Sequence, residues 1–251
     1  CVAAYSPDGA LLGQYSAYGD ALGAKCMSWD NSGQLFAVGS YDQKLRVLSA
    51  IAWQPLMELD HPSNVSDPVG LAVYHEVVQA PDVRSTPGRS PAKSQQSVLA
   101  LRPDIKSRYE LMDLPLHLPE TKPAKDKPHP KQGIGRAAWS HDSRMLATVN
   151  DSQPETVWVW DISSGELAAV LLHASPVADF AWSPSAALLA IVTGSAKVYM
   201  WSVTGASVVH IPLSDFQVVR LGWSPSGASF LLSGRDAFCC AYMATSPGNR
   251  P

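Results

Sequence analysis

The chain has 251 residues, a formal net charge of −3 and a pI of about 6.2. This slightly acidic balance gives the whole chain no electrostatic reason to bind nucleic acid or an anionic membrane. No apolar run reaches the roughly 18 residues that a membrane span requires, and the length suits one large all-β domain. Composition therefore predicts a protein without a membrane partner, and makes nucleic acid an improbable ligand.

The chain begins in the middle of a repeated unit. Tyr5 ends a strand and is followed by a Ser-Pro-Asp-Gly turn, and residues 11–18 predict the strand that pairs with it. The two preceding strands of this unit are absent from the sequence. The first residues also lack an initiator Met and a basic, then apolar, targeting signal.

The next unit is complete. Four strands are predicted, with Asp42 in the turn between the second and third; they span residues 24–29, 34–39, 44–48 and 53–59. A proline-rich interruption follows over residues 61–133 and contains eleven of the 20 prolines, which prevents a continuous hydrogen-bonded ladder. Its flanks, residues 69–78 and 108–118, keep strand-like apolar spacing.

The centre of the interruption, residues 81–106, predicts disorder because it is polar and rich in Pro and Ser. Over residues 81–136, eleven Lys and Arg oppose six Asp and Glu, a net charge of about +5, whereas the rest of the chain is acidic. Thr86 and Ser90 each begin a Ser/Thr-Pro-x-Arg/Lys sequence, which proline-directed kinases prefer. Phosphate at both would add roughly −3 to −4 charges; the alternative is a solvated linker that is never modified.

Two further units of four strands occupy residues 134–172 and 177–212, and a last unit of three strands runs from residue 218 to 242. Their first strands end at Trp139, Trp182 and Trp223, which lie 43 and 41 residues apart, and Trp29 is the earlier copy. The third strand of the first of these units is Thr156-Val157-Trp158-Val159-Trp160-Asp161, and a strand that ends in Trp-Asp is the mark of a WD40 blade. Its counterpart in the next unit ends at Trp201-Ser202.

These repeats predict an all-β fold, a partial WD40 β-propeller of about three full four-stranded blades with incomplete blades at each end and a Pro-rich basic insertion. A blade is stable only when neighbouring blades cover its faces, so we expect an open arc that lacks upstream blades. The predicted domains are residues 1–60 (half a blade and one full blade), the insertion 61–133, and residues 134–251 (two full blades and one of three strands).

The sequence offers no candidate for catalysis, a metal or a cofactor. No His-x-Glu, His-Glu-x-x-His, Gly-x-Ser-x-Gly or phosphate-binding glycine loop is present. The four cysteines show no metal-ligand spacing and predict thiols in a reducing compartment, the cytosol or nucleus. The chain is therefore predicted not to be an enzyme.

Two kinds of role remain for single residues. Packing or turn-capping explains Trp29, Trp139, Trp160, Trp182, Trp201, Trp223, Asp42, Asp161 and Asp236 better than recognition does. Charges beside the blade edges are the candidates for partner binding, because propellers bind through loops at the rim; they are Lys44, Asp179, Arg220 and Arg235. The basic patch Lys122, Lys125, Lys127, Lys131 and Arg136 is either a contact for an acidic partner, such as a tubulin tail or RNA, or a soluble loop.

Several segments resemble the WD repeat-containing protein 8 family of centrosomal and spindle-pole proteins: Gln14–Tyr18, Leu35–Asp42, Gly133-Ile134-Gly135 and Val157–Ile162. The resemblance extends through the flanks of the interruption, near Tyr74 and Tyr109, and covers roughly the C-terminal half of the family's length. It implies a non-catalytic scaffold at the centrosome or spindle pole, within the cytoplasm and cytoskeleton, that binds a coiled-coil partner.

The same resemblance implies roles in microtubule anchoring, mitotic spindle organisation and cilium assembly, with an indirect link to microtubules and a minus-end-directed kinesin. The alternative is a substrate-receptor subunit of a ubiquitin ligase, a function of many WD40 proteins. That alternative would gain from a Trp-Asp-x-Arg sequence, and the chain has Trp160-Asp161-Ile162-Ser163 instead. An RNA-associated propeller would need basic blades, and these blades are acidic.

Overall fold

A computed structural model describes residues 1–17, 22–66, 70–79, 105–123, 130–213 and 215–244. All the regular secondary structure in these ranges is β-strand, which confirms the all-β prediction. The strands before the described gap at residues 80–104 are β1 (Val2–Tyr5), β2 (Leu11–Tyr15), β3 (Ala24–Trp29), β4 (Leu35–Ser40), β5 (Lys44–Ser49), β6 (Pro55–Asp60), β7 (Asn64–Val65) and β8 (Ala72–Val78).

After that gap come β9 (Ser107–Leu111), β10 (Leu116–His117), β11 (Ile134–Trp139), β12 (Met145–Asn150), β13 (Thr156–Asp161) and β14 (Glu166–Leu172). The last seven strands are β15 (Asp179–Trp182), β16 (Leu189–Val192), β17 (Lys197–Ser202), β18 (Gly205–His210), β19 (Arg220–Trp223), β20 (Ser229–Ser233) and β21 (Phe238–Tyr242). The chain forms two compact units. Unit 1 comprises Cys1–His75 and Leu111–Leu172, and unit 2 comprises Glu76–Glu110 and His173–Pro251.

Unit 1 contains two antiparallel four-stranded meanders, in the orders β3-β4-β5-β6 and β11-β12-β13-β14. The hairpin β1-β2 and the short pair β7-β10 complete its sheets. Each meander corresponds to one predicted blade, because short turns join consecutive strands that pair with one another. The two-stranded β1-β2 sheet matches the predicted half blade.

Unit 2 contains the antiparallel meander β15-β16-β17-β18 and the three-stranded sheet β19-β20-β21. These are the predicted third full blade and the predicted three-stranded one. Strand β21 has alternating exposure, with Phe238 74% and Tyr242 79% exposed. It pairs only with β20 in the described part of the chain, so its other edge has no paired strand there, and its exposed residues lie on one face.

The interruption contributes strands to an existing sheet. Strand β8 runs parallel to β14, with Ala72 opposite Ala169 and His75 opposite Leu172, and β9 lies beside β8. A tight turn cannot join parallel strands, and residues 79–165, which include the rest of the interruption and β11–β13, supply the long connection between β8 and β14. The expected disorder of residues 81–106 lies mostly outside the described residues, but Ile105 is described and only 2% exposed. The three domain boundaries given above stay a prediction.

Each unit has its own apolar core. The core of unit 1 is centred on Trp158, Trp160 and Leu146, and that of unit 2 on Phe216, Val218 and Phe230. All but the last residue of β13 are buried, although Val and Trp alternate along it. Both faces of this strand are covered by other parts of the protein. Its Val and Trp side chains are therefore all buried, although they point alternately to opposite faces.

Candidate functional site

We call the tryptophans that end the first strand of each repeat the marker tryptophans: Trp29, Trp139, Trp182 and Trp223. In several repeats a polar side chain follows the marker Trp and closes the next turn. In three repeats its oxygen accepts the backbone N–H five residues later. The distances are 2.9 Å from Asp30 to Leu35, 2.9 Å from Ser140 to Met145 and 3.2 Å from Ser224 to Ser229. This hydrogen bond gives the recurring Trp-Ser or Trp-Asp pair an architectural purpose, since it satisfies a backbone donor at a sharp turn.

The marker tryptophans also join consecutive sheets within each unit. Trp139 donates its indole N–H to the carbonyl of Ser28 at 3.1 Å, and Trp223 donates to the carbonyl of Ala181 at 3.1 Å. In both cases the acceptor directly precedes the marker Trp of the earlier sheet. Because the indole N–H can only donate, this contact sets the orientation of each ring.

The two other marker tryptophans, Trp182 and Trp29, differ in burial, and Trp201 and Asp161 lie at the ends of third strands. Trp182 is 8% and Trp201 3% exposed, and their rings meet edge to face with centroids 6.0 Å apart. Trp29 is 49% exposed and packs on Phe36 at a centroid distance of 4.6 Å. Asp161 accepts both the backbone N–H of Ser163 at 2.9 Å and its hydroxyl at 2.5 Å, and these bonds hold the pKa of Asp161 below its usual value.

A buried hydrogen-bond chain connects β13, β12 and the segment after β6 in unit 1. Trp160 Nε1 donates to Thr148 Oγ1 at 3.1 Å, and that oxygen lies 2.7 Å from His61 Nε2. Since Thr148 accepts from Trp160, its own hydroxyl proton is available to His61 Nε2, which favours a neutral imidazole. Burial lowers the pKa of His61 to about 3, so the ring is neutral at physiological pH.

Beside this chain, charged residues of β5, β6 and the β4–β5 turn form an ion-pair network. Arg46 contacts Asp42 at 2.7 Å and Glu58 at 2.8 Å, and Lys44 contacts Glu58 and, at 3.2 Å, Asp60. The hydrogen bond from Lys44 lowers the pKa of Glu58. Lys44, a predicted binding residue, and Asp42, a predicted turn residue, therefore belong to one network.

Two adjoining cavities open at this network. The first, about 440 Å³, is lined by Asp42, Gln43, Lys44, Asp60, His61, Pro62, Ser63, Asn64 and Glu120. The second, about 250 Å³, is lined by Glu58, Leu59, Asp60, Pro62, Asn64, Val65, Ser66, Trp160, Gly165, Glu166 and Leu167. They share Asp60, Pro62 and Asn64, and we call them together the acidic groove.

The other predicted binding residues lie in unit 2 and are spread over it. Asp179 is half-buried and accepts the backbone N–H groups of Phe180 at 2.9 Å and Leu221 at 3.0 Å. Arg220 is exposed at the start of β19, and Arg235 is exposed in the turn before β21, where a cavity of about 120 Å³ also includes Asp215 and Asp236. A binding role for each of these residues stays a prediction.

Unit 2 also contains a buried polar cluster. Glu76, on β8, accepts the hydroxyl of Tyr199 at 2.7 Å and the backbone N–H of Ala174 at 2.9 Å, and lies 3.4 Å from Lys197 Nζ. Glu76 and Lys197 are 2% and 1% exposed. Burial raises the pKa of Glu76, but the Ala174 hydrogen bond and the charges of His173 and Lys197 outweigh burial and keep that pKa below its usual value.

Other predicted positions fall outside the described residues. Thr86 and Ser90 are among them, as are Lys125 and Lys127 of the basic patch. In the described ranges, no group of three or more His, Cys, Asp or Glu is arranged to hold a metal ion. Nor does any helix in those ranges have the length and apolar character to cross a bilayer.

The blade geometry agrees with a comparison to known families. Residues 14–49, which cover the end of the first hairpin and most of the first full meander, match the family described as "WD domain, G-beta repeat". The chain is a WD40 repeat protein. Its meanders and three-stranded sheet are the blades of a partial WD40 β-propeller.

Two known proteins are similar to parts of the chain. The mouse (Mus musculus) "WD repeat-containing protein WRAP73" is 39% identical over 195 residues, which cover 78% of this chain and 42% of the relative. The chain thus spans less than half the length of this relative. The solved Cps50 (Swd1) β-propeller domain of Myceliophteria thermophila aligns with 83% of this chain and 48% of its own, at 11% identity and a TM-score of 0.49.

Sequence reasoning missed the acidic groove and the Glu76 cluster. The groove joins segments around residues 42, 60, 120 and 166, and Glu76 meets Lys197 across 121 positions of sequence. No local pattern marks such pairs. One signal was available for the cluster, because Glu76 interrupts the apolar spacing of a predicted strand and a buried carboxylate requires a partner.

Proposed function

We propose that this WD40 repeat protein is a non-catalytic, protein-binding scaffold at the centrosome or spindle pole. Its partner in this proposal is a coiled-coil protein, and the complex supports microtubule anchoring, spindle organisation and cilium assembly, with microtubules and a minus-end-directed kinesin as indirect partners. The observation that carries the proposal is the interrupted repeat pattern with its resembling segments, such as Leu35–Asp42 and Val157–Ile162. The 39% identity to a WD repeat-containing protein across the interruption supports it.

Well-packed blades suit this role. Strands such as β13 are buried on both faces, so the sheets hold their shape while loops at their ends remain available for contacts. Lys44 begins β5, Arg220 begins β19 and Arg235 lies in the turn before β21, so these charges lie at the ends of strands.

Affinity purification from dividing cells tests the partner class. The tagged chain should recover a coiled-coil centrosomal protein, and the fluorescently labelled chain should coincide with a centrosome marker. A chain with its marker tryptophans Trp139 and Trp223 replaced serves as the unfolded control. Recovery of cullin adaptors without centrosomal proteins would favour the ubiquitin-ligase alternative instead.

Phosphorylation of Thr86 and Ser90 is the regulatory part of the proposal. Two added phosphates would cancel most of the excess positive charge over residues 81–136 and weaken contacts to acidic surfaces. Phosphopeptide mapping from cells arrested in mitosis should find both sites occupied, and a T86A/S90A chain should lose the phosphate. Mapping that covers both positions and finds neither modified would contradict this part.

A further inference from the structure

The acidic groove combines an apolar floor with charged walls. Leu59, Val65 and Trp160 form much of the floor and are 2%, 4% and 6% exposed, and Leu167 beside them is half-buried. Half-buried Leu167 and exposed Pro62 supply the apolar surface that a ligand would cover, since the three floor residues are already out of water, and the polar groups around them select the ligand. The groove therefore has the two elements of a recognition site.

The walls of the acidic groove carry five carboxylates and one ammonium. The carboxylates are those of Asp42, Glu58, Asp60, Glu120 and Glu166, and the ammonium is that of Lys44. Lys44 and Arg46 account for the ion pairs of Asp42, Glu58 and Asp60. No ion pair within the described ranges involves Glu120 or Glu166, both of which are exposed. The groove thus retains negative charge at separate points along its walls.

The spacing of this charge argues against a metal ion as the ligand. In the described residues the acidic side chains do not converge into a group that could hold a metal. Separate carboxylates instead suit a ligand with several cations at intervals, and an extended peptide with Lys or Arg at alternate positions presents them in that way. A phosphate-bearing ligand such as RNA would be repelled.

We propose that the acidic groove is a docking site for an extended basic peptide segment of a partner protein. Its Lys or Arg side chains meet Glu120, Asp60 and Glu166, while an apolar side chain between them covers Leu167 and the floor. This inference uses only the geometry of unit 1 and does not depend on where in the cell the protein works.

Fluorescence anisotropy with the whole purified chain tests the proposal. The probe is a short fluorescein-labelled peptide that alternates lysine with valine, and a peptide that alternates glutamate with valine is the matched probe. The lysine peptide should bind and the glutamate peptide should not. Binding should weaken when salt is raised from about 0.15 to about 0.5 M, because salt screens exposed charges.

Two double variants with the same charge change separate the groove from the general charge of the chain. E120Q/E166Q should weaken binding of the lysine peptide about fivefold, as expected for two exposed contacts between opposite charges. D113N/D236N, which alters exposed carboxylates outside the groove, should leave affinity unchanged. All four sites are exposed, so we expect both variants to keep the thermal midpoint of the parent, which circular dichroism would check.

Several results would overturn the proposal. Equal weakening in both variants would mean a non-specific charge effect, and absence of lysine-peptide binding to the parent chain would remove the site altogether. Self-association that E120Q/E166Q abolishes, measured by analytical ultracentrifugation, would assign the groove to a second copy of the chain instead of a partner.

Discussion

At the scale of single residues, the chain of hydrogen bonds from Trp160 through Thr148 to His61 joins three segments of unit 1. Each member lacks access to water, because Thr148 is fully buried and His61 and Trp160 are 5% and 6% exposed. The rings of His61 and Trp160 also meet edge to face at 5.3 Å. Buried polar groups linked in this way stabilise one arrangement, since any break leaves a donor or acceptor unsatisfied.

The depressed pKa of His61 predicts that acid destabilises the protein. Folded His61 has a pKa of about 3 against its ordinary value of 6.5, so between these values the unfolded chain binds more protons. The contribution of neutral, buried His61 to the free energy of unfolding is complete above about pH 6.5 and is lost as pH falls. From pH 6.5 to 5 the free energy of unfolding should drop by up to about 2 kcal/mol through this residue. Urea denaturation at several pH values would measure it.

The control for this prediction compares two histidines. A H61Q chain should lose the acid-dependent part of its stability between pH 5 and 6.5, whereas H117Q, at an exposed position, should keep the parental pH profile. Parallel profiles for H61Q and the parent chain would show that His61 does not carry the effect.

At the scale of the structural element, the turns after Trp29, Trp139 and Trp223 share one backbone conformation. The fourth residue after the Trp has φ of +70° at Gly33, +60° at Ser143 and +72° at Gly227. Glycine adopts this left-handed region without steric cost, which explains its presence in two of these three turns. Ser143 accepts the strained conformation, and its hydroxyl receives the backbone N–H of Asn31 at 3.2 Å.

The turn geometry predicts a cost for Gly227→Ala. The positive φ strains any Cβ, and a Cβ at this position would lie 2.0 Å from Ser185 Oγ and 3.0 Å from Ser183 Oγ. We expect a loss of about 1–3 kcal/mol in the free energy of unfolding, measured by urea denaturation. Gly222→Ala is the matched control, because Gly222 lies in β19 with no atom within 4 Å of an added Cβ. Equal stability of the two variants would refute the turn argument.

At the scale of the whole molecule, contacts between distant positions determine how the interruption folds. Unit 2 is assembled from Glu76–Glu110 and His173–Pro251, and Glu76 joins these two segments through Tyr199, Ala174 and Lys197. Burying the carboxylate of Glu76 on β8 costs desolvation energy, and its contacts with the three partners offset that cost. These contacts fix the position of Glu76, because an apolar residue cannot form a hydrogen bond or an ion pair with the carboxylate.

Removing the charge of Glu76 should destabilise the protein strongly. Glu76→Gln leaves the Lys197 ammonium buried without an opposite charge, and we expect a loss of about 3–5 kcal/mol in the free energy of unfolding. Glu110→Gln is the control, because its ion pair with Arg108 is exposed on the same unit and should contribute at most about 1 kcal/mol. Chemical denaturation would measure the free energy of unfolding of both variants. Equal losses in the two variants would argue against a special role for the buried pair.

Much of the fold was predictable because its signals are local and repeated. The spacing of Trp139, Trp182 and Trp223 predicted the meanders, and β13 and β17 end at the expected Trp-Asp and Trp-Ser positions. The position of β8 was not predictable: strand-like spacing indicated a strand near residues 69–78 but contained no information about its parallel partner β14. Among the candidate site residues, the sequence identified Lys44 as a rim charge without indicating the carboxylates that surround it.

The amino-acid sequence by itself determined the repeating blades of this WD40 protein, because turn residues, strand periodicity and a Trp at a near-constant interval act within a few tens of positions. Tertiary structure alone decided where the acidic groove lies and which residues surround Glu76. Those sites combine side chains far apart in sequence, and only the packing of sheets brings them within hydrogen-bond or ion-pair distance.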